Sequence, residues 1–156
     1  METIKKVLVP IDFSDYSKNA LKYAVGFAKH FGSKMYIVYV VEPAVYPADF
    51  SLGQVAIPTT DVDMSQRAEN ELDRLAKEHI GESVQYEKII KTGKPFVEII
   101  ETASEIDADL IIIATHGHTG VEHLLFGSTA EKVVRKAPCP VLTLRDPIKG
   151  FKFVKK

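Results

Sequence analysis

Residues 110–140 read LIIIATHGHTGVEHLLFGSTAEKVVRKAPCP, an apolar run that gives way to small and polar residues before a helical pattern resumes. Leu110 to Ala114 is a continuous apolar run rich in β-branched side chains, which suits a strand buried on both faces, as in a parallel sheet. The run stops in small and polar residues, Thr115-His116-Gly117. A helical pattern then opens at Ser128, with Val133 and Val134 inside, and Val141 to Leu144 forms a second apolar run. Strand, loop, helix, strand is the repeating unit of an α/β protein.

The same unit recurs towards the N-terminus. Val7 to Ile11, Met35 to Val41 and Val84 to Ile90 are further strand candidates. Between the first two, Ala20, Leu21, Ala24, Phe27, Ala28 and Phe31 recur at helical spacing after Ser14-Asp15, and Gly32 stands where a C-terminal stop belongs. Ala68, Leu72, Leu75 and Ile80 mark a second helix ending near Gly81, and Pro95 opens a third at a position that tolerates a missing N–H. The expected fold is α/β: a doubly wound five-stranded parallel sheet with helices on both faces and right-handed crossovers. Two segments fall outside the alternation. Residues 42–63 hold Pro43, Pro47 and Pro58 and are expected to form a long loop, and 146–156 are expected to be a Lys-rich tail on a domain spanning 1–145.

At 156 residues, 46% hydrophobic and 26% charged, the chain has the make-up of one soluble globular domain. A net charge of −1 gives no reason to expect nucleic acid as a partner. No apolar run is long enough for a membrane span, no secretory signal is evident, and the single cysteine, Cys139, suits a reducing compartment; a cytoplasmic protein is expected.

Ligands of open α/β sheets bind beyond the carboxyl ends of the strands, where the strand order reverses. If strands one and four flank that point, Asp12, at the end of Pro10-Ile11-Asp12, faces the loop that begins at Gly117. Gly117 and Gly120 allow close backbone approach, and Gly127-Ser128-Thr129 would place helix N–H groups at the same mouth, a suitable seat for phosphates. A second reading stands beside it. Ser128-Thr129-Ala130-Glu131 has the form of a capping box, which satisfies a helix terminus without a ligand. Asp12 has a similar alternative as part of the cap of the first helix. No P-loop signature and no dinucleotide fingerprint is present. The spacing of His116, His118 and His123 fits no zinc motif, so no metal site is assigned to them.

Several features together resemble the universal stress protein family: Val-Leu-Val-Pro-Ile-Asp followed by Ser14, Gly93-Lys94-Pro95, Ala108-Asp109-Leu110 leading to Thr115-His116-Gly117, and Pro138-Cys139-Pro140-Val141-Leu142. The resemblance covers Lys5 to Arg145. It implies a Rossmann-like, adenine nucleotide alpha hydrolase-like arrangement and an adenosine nucleotide, usually ATP, with ADP or AMP as alternatives, together with Mg²⁺. In the nucleotide-binding branch the frame is G-x-x-G-x(9)-G-[ST]. Here it reads Ala114-x-x-Gly117-x(9)-Gly127-Ser128, with alanine replacing the first glycine, and His118 stands where the family often has Arg or Lys. Carried over, Val40 would offer backbone hydrogen bonds to adenine near Pro10 and Ile11. Asp12 would face the ribose or the metal, and Ala114, Thr115, Gly117, His118, Gly127, Ser128 and Thr129 would border the phosphates. The resemblance also implies a homodimer through the last strand, Val141 to Leu144. No catalytic residue is assigned. The functional expectation is a dimeric ATP-binding regulatory module of a stress response, with a slow ATP hydrolase or phosphotransferase and a dimer without nucleotide as alternatives.

Overall fold

A computed structural model describes residues 3–43, 61–116 and 126–145. The chain order is β1 (Lys6–Ile11), α1 (Asp15–Phe31), β2 (Lys34–Val41), α2 (Asp61–His79), β3 (Tyr86–Thr92), α3 (Pro95–Glu105), β4 (Leu110–Ala114), α4 (Ser128–Lys136) and β5 (Val141–Leu144). The strands form one parallel sheet in the order β3-β2-β1-β4-β5. The doubly wound fold expected from the apolar runs is the fold observed.

Alternation along each strand sends neighbouring side chains to opposite faces, and both faces are buried because helices cover each. Val7, Val9, Ile37 and Ile112 pack with Leu21, Ala24 and Ala28 of α1 and with Leu72 and Leu75 of α2. Leu8, Val38, Ile111 and Ile113 pack with Ile99 and Ala103 of α3 and with Ala130 and Val133 of α4. β1 is the central strand, and no residue of β1, β2 or β4 is exposed.

Local chemistry sets the element ends. Ser14 caps α1 by accepting from the Ser17 N–H at 3.2 Å, and Gly32 closes it in the left-handed conformation. At the amino end of the sheet, Asp109 Oδ2 accepts from the backbone N–H groups of Lys5 and Lys6, each at 2.8 Å, which ties the start of β4 to β1. Gly93 leaves β3 at φ 154°, a backbone conformation that residues with a side chain rarely adopt. The Gly93-Lys94-Pro95 motif is thus a turn requirement.

Two expected boundaries move. β3 runs from Tyr86 to Thr92 instead of Val84 to Ile90, because its ladder with β2 starts at Met35↔Tyr86 and continues to Val41↔Thr92, while Val84 packs on the core ahead of the strand. α2 starts at Asp61, so the last residues of the expected 42–63 loop are helical. The remainder of that loop from 44 to 60, and the tail 146–156, lie outside the described residues.

Candidate functional site

The strand order places the switch point between β1 and β4. β1 connects through α1 to β2 on one side, and β4 connects through α4 to β5 on the other. The tips carrying Asp12 and Thr115 therefore adjoin, as the expected mouth requires. A ring contact crosses it: Tyr16, in the first turn of α1, lies 5.5 Å from the His116 ring beyond β4.

Asp12 ends β1 and takes part in a tight local turn. Its Oδ1 accepts from the Ser14 N–H at 2.9 Å and from the Ser14 hydroxyl at 2.5 Å, and its own N–H donates to Ser17 Oγ at 3.3 Å. The carboxylate thus braces the residue that caps α1. Both Ser14 bonds fall on one oxygen, so the turn itself does not use Oδ2. Between Asp12 and Ser14, Phe13 adopts φ 63°, a left-handed conformation that costs a bulky residue ~1–2 kcal/mol. Its ring lies 4.7 Å from that of Tyr39. Burial raises the Tyr39 pKa, helped by the negative charges of Glu71, Asp12 and Glu42.

Val40 lies near the carboxyl end of β2. In a parallel strand, successive residues direct their N–H and C=O groups alternately to the two neighbours. Lys34 N–H donates to Lys5 of the β1 side, whereas Met35 N–H donates to Gln85 beside β3. The alternation continues along β2, so Val40 turns its backbone groups towards β1. The β1 ladder ends at Ile11↔Tyr39, one residue short of Val40. The Val40 N–H falls on the Ile11 carbonyl in the same offset as Lys34 on Lys5, so the Val40 C=O is the group that faces the space beyond the tip of β1.

At the head of α4 the N-cap is Gly127, at φ −68° and ψ 155°, with no side-chain cap hydrogen bond. The capping-box alternative is thereby corrected: Ser128 lies inside the helix, so its hydroxyl is not the cap, and the first-turn N–H groups have no side-chain acceptor from the cap position. Gly127 is required for a close approach. Its N–H donates to the Thr115 carbonyl at 2.6 Å, and an added Cβ would sit 3.1 Å from that oxygen. The bond draws the two ends of the β4–α4 connection together, so the tip of β4 and the start of α4 share one mouth. Thr115 is itself buried, held to β5 by its N–H on Leu144 at 2.9 Å, with Oγ1 3.0 Å from His116 Nδ1.

The expected site residues divide into groups. Asp12, Thr115 and Gly127 come together at the β1/β4 switch point, Ser128 and Thr129 begin the helix there, and Val40 lies near the end of β2 on the other side of β1. Pro10, Ile11 and Ala114 are buried strand residues, and the Ile11 side chain packs in the α1/α2 core. Ala114 pairs with Leu144 in the sheet, so its methyl is accommodated as a strand residue. Gly117 and His118 lie outside the described residues, as does His123. Sequence reasoning did not single out Phe13 or Tyr16, and it took Tyr39 only as part of the Tyr39-Val40-Val41 strand end that offers backbone groups to a flat ring. Aromatic residues beside a strand end are the only signal that could have drawn attention to them.

The family model described as the universal stress protein family matches residues 3–145. The chain belongs to the universal stress protein family. A universal stress protein of Methanocaldococcus jannaschii is 36% identical over 148 residues, covering 93% of this chain and 84% of the relative. The universal stress protein UspA of Lactobacillus plantarum has a similar structure, with a TM-score of 0.74 at 26% identity, covering 93% of this chain and all of that one. Two further universal stress proteins share the fold. One was solved in complex with cAMP, with a TM-score of 0.66 and 23% identity over 92% of this chain and 98% of that one. The other, from Archaeoglobus fulgidus, was solved in complex with dAMP, with a TM-score of 0.64 and 24% identity over 91% of this chain and 98% of that one. Among the described residues of this universal stress protein, no helix is long and apolar enough to cross a membrane.

Proposed function

We propose that this universal stress protein binds an adenosine nucleotide at the β1/β4 mouth and acts as a dimeric regulatory module in the cytoplasm. The observation that carries the reading is the head of α4, where a glycine N-cap leaves first-turn amides without a side-chain acceptor beside the tip that carries Asp12. Such amides, with the positive end of the helix dipole, form a phosphate seat. The Val40 carbonyl facing the space beyond β1 suits the amino group of an adenine edge. Asp12, with one oxygen outside its local turn, suits a ribose hydroxyl or a phosphate-bound cation. Ser128, Thr129 and the Gly127 amide would hold phosphates, with Thr115 closing the rear.

The proposed ligand is ATP, or ADP or AMP, with Mg²⁺. When bound, the cation would supply the positive charge that neutralises the phosphates. The cAMP and dAMP complexes of structural neighbours are consistent with an adenosine ligand, although at their identity the likeness extends to the fold alone. Dimerisation through β5 is supported by a contrast between the sheet edges. β3 carries Glu87, Lys88 and Lys91, ion-paired to Lys34, Asp73 and Glu105. β5 reads Val-Leu-Thr-Leu with no charge, and Leu142 and Val134 are exposed beside it. Charges protect an edge strand from pairing; an apolar edge invites it.

The test is mass spectrometry of the gently purified protein, followed by thermal melts with ATP, ADP, AMP and cAMP, each with and without Mg²⁺. An adenine nucleotide that co-purifies and raises Tm supports the reading. No bound nucleotide and no shift with any of the four refutes it.

A further inference from the structure

The Asp12 turn is held by an unusual backbone. Phe13, a large aromatic residue, occupies the left-handed region at φ 63°, a conformation that ordinarily falls to glycine. Strain of this kind persists only where surrounding contacts over-determine it, and it collects at functional sites. One such contact is visible. The Phe13 ring packs on Tyr39 at 4.7 Å and 40°, and both rings lie against the α1/α2 core. Tyr39 is also the β2 partner of Ile11, the residue that precedes Asp12. The ring pair therefore bridges the tip of β2 to the turn of β1, next to the carboxylate that braces Ser14.

We propose that Tyr39 and Phe13 are positioning residues for Asp12, fixing the turn so that the oxygen not engaged by Ser14 is aimed at the hydroxyls of a bound ribose. The inference rests on the adenosine reading of the mouth and adds to it a source of sugar specificity. The hydrogen bonds of the turn run among Asp12, Ser14 and Ser17, and the ring pair adds the tie from this turn to β2. A carboxylate held in place rejects a sugar that lacks its hydroxyl partner, whereas a mobile one rearranges or finds water and discriminates weakly.

The test compares ATP with 2′,3′-dideoxy-ATP, both with Mg²⁺, by calorimetric titration of the full chain. The wild type is expected to bind ATP ~10–100-fold more tightly than the dideoxy analogue, as for hydrogen bonds to a charged group. Tyr39→Leu is expected to bring that ratio to within ~3-fold, while Tyr39→Phe, which keeps the ring, restores it. Phe13→Gly relieves the backbone strain while removing the ring, and is expected to lose discrimination in the same way. If Tyr39→Leu and Phe13→Gly keep the wild-type ratio, the rings serve packing alone and the proposal is overturned. If the wild type binds neither nucleotide, the adenosine reading falls and takes this inference with it.

Discussion

The contact between Gly127 and Thr115 allows the two roles of the α4 head to be separated. In Gly127→Ala the new Cβ stands 3.1 Å from the Thr115 oxygen, so the contact must open by a few tenths of an ångström. Thr115 yields with difficulty, since it is 3% exposed and bonded to Leu144. Alanine accepts the glycine's φ of −68°, so the cost is one of crowding, ~1–2 kcal/mol. For a domain of this size the corresponding fall in Tm is about 3–6 °C. Gly127→Ser meets the same oxygen but brings a hydroxyl that can cap the first turn, returning ~1 kcal/mol. Its Tm should lie between those of Ala and the wild type. Nucleotide binding should order the variants differently. The serine hydroxyl occupies the amides that phosphates would use, so its ATP-induced shift should be the smallest of the three. Melts with and without saturating ATP and Mg²⁺ measure both quantities, since a ligand at one hundred times its Kd stabilises by ~2.7 kcal/mol. An alanine variant that melts at or above the wild type would refute the close-approach argument. A serine variant that keeps the full ATP-induced shift would refute the phosphate seat.

Other expectations follow from the same geometry. Ser14→Ala removes the α1 cap and should cost ~1 kcal/mol, read as a fall in the urea midpoint without a change in slope. Asp12→Asn keeps an acceptor for Ser14 but loses the charge, so Tm should hold while affinity for Mg²⁺-ATP falls roughly tenfold; equal affinity by titration would place the ligand elsewhere. Leu142→Lys puts a charge on the apolar edge and should give monomers in sedimentation velocity if β5 forms the dimer. Burial, then the Asp109 charge, raises the Cys139 thiol pKa. Less thiolate is then present in the folded protein than in the unfolded chain near pH 8. Iodoacetamide should accordingly label the folded protein slowly, with the rate climbing only at higher pH, and a fast rate near neutrality would contradict this.

The sequence by itself determined the element order and the fold class, because periodicity reports burial directly. Runs such as Leu110 to Ala114 are apolar at every position only when both faces are covered. The caps at Ser14 and Gly32 were legible for the same reason, since each acts within a turn or two of its own position. The start of β3 was less legible: a half-exposed edge strand has a weak pattern, and its ladder with β2, not its composition, fixes where it begins. Residues at the mouth were nameable from their resemblance to a family, but their roles depended on contacts across the chain. Whether Ser128 or Gly127 caps α4 turns on the pull of Thr115, twelve residues before it. That Phe13 is held left-handed beside Tyr39 depends on two strands meeting. Local propensity is written in neighbouring residues, whereas a cleft between strand tips exists only once the sheet has set the strand order.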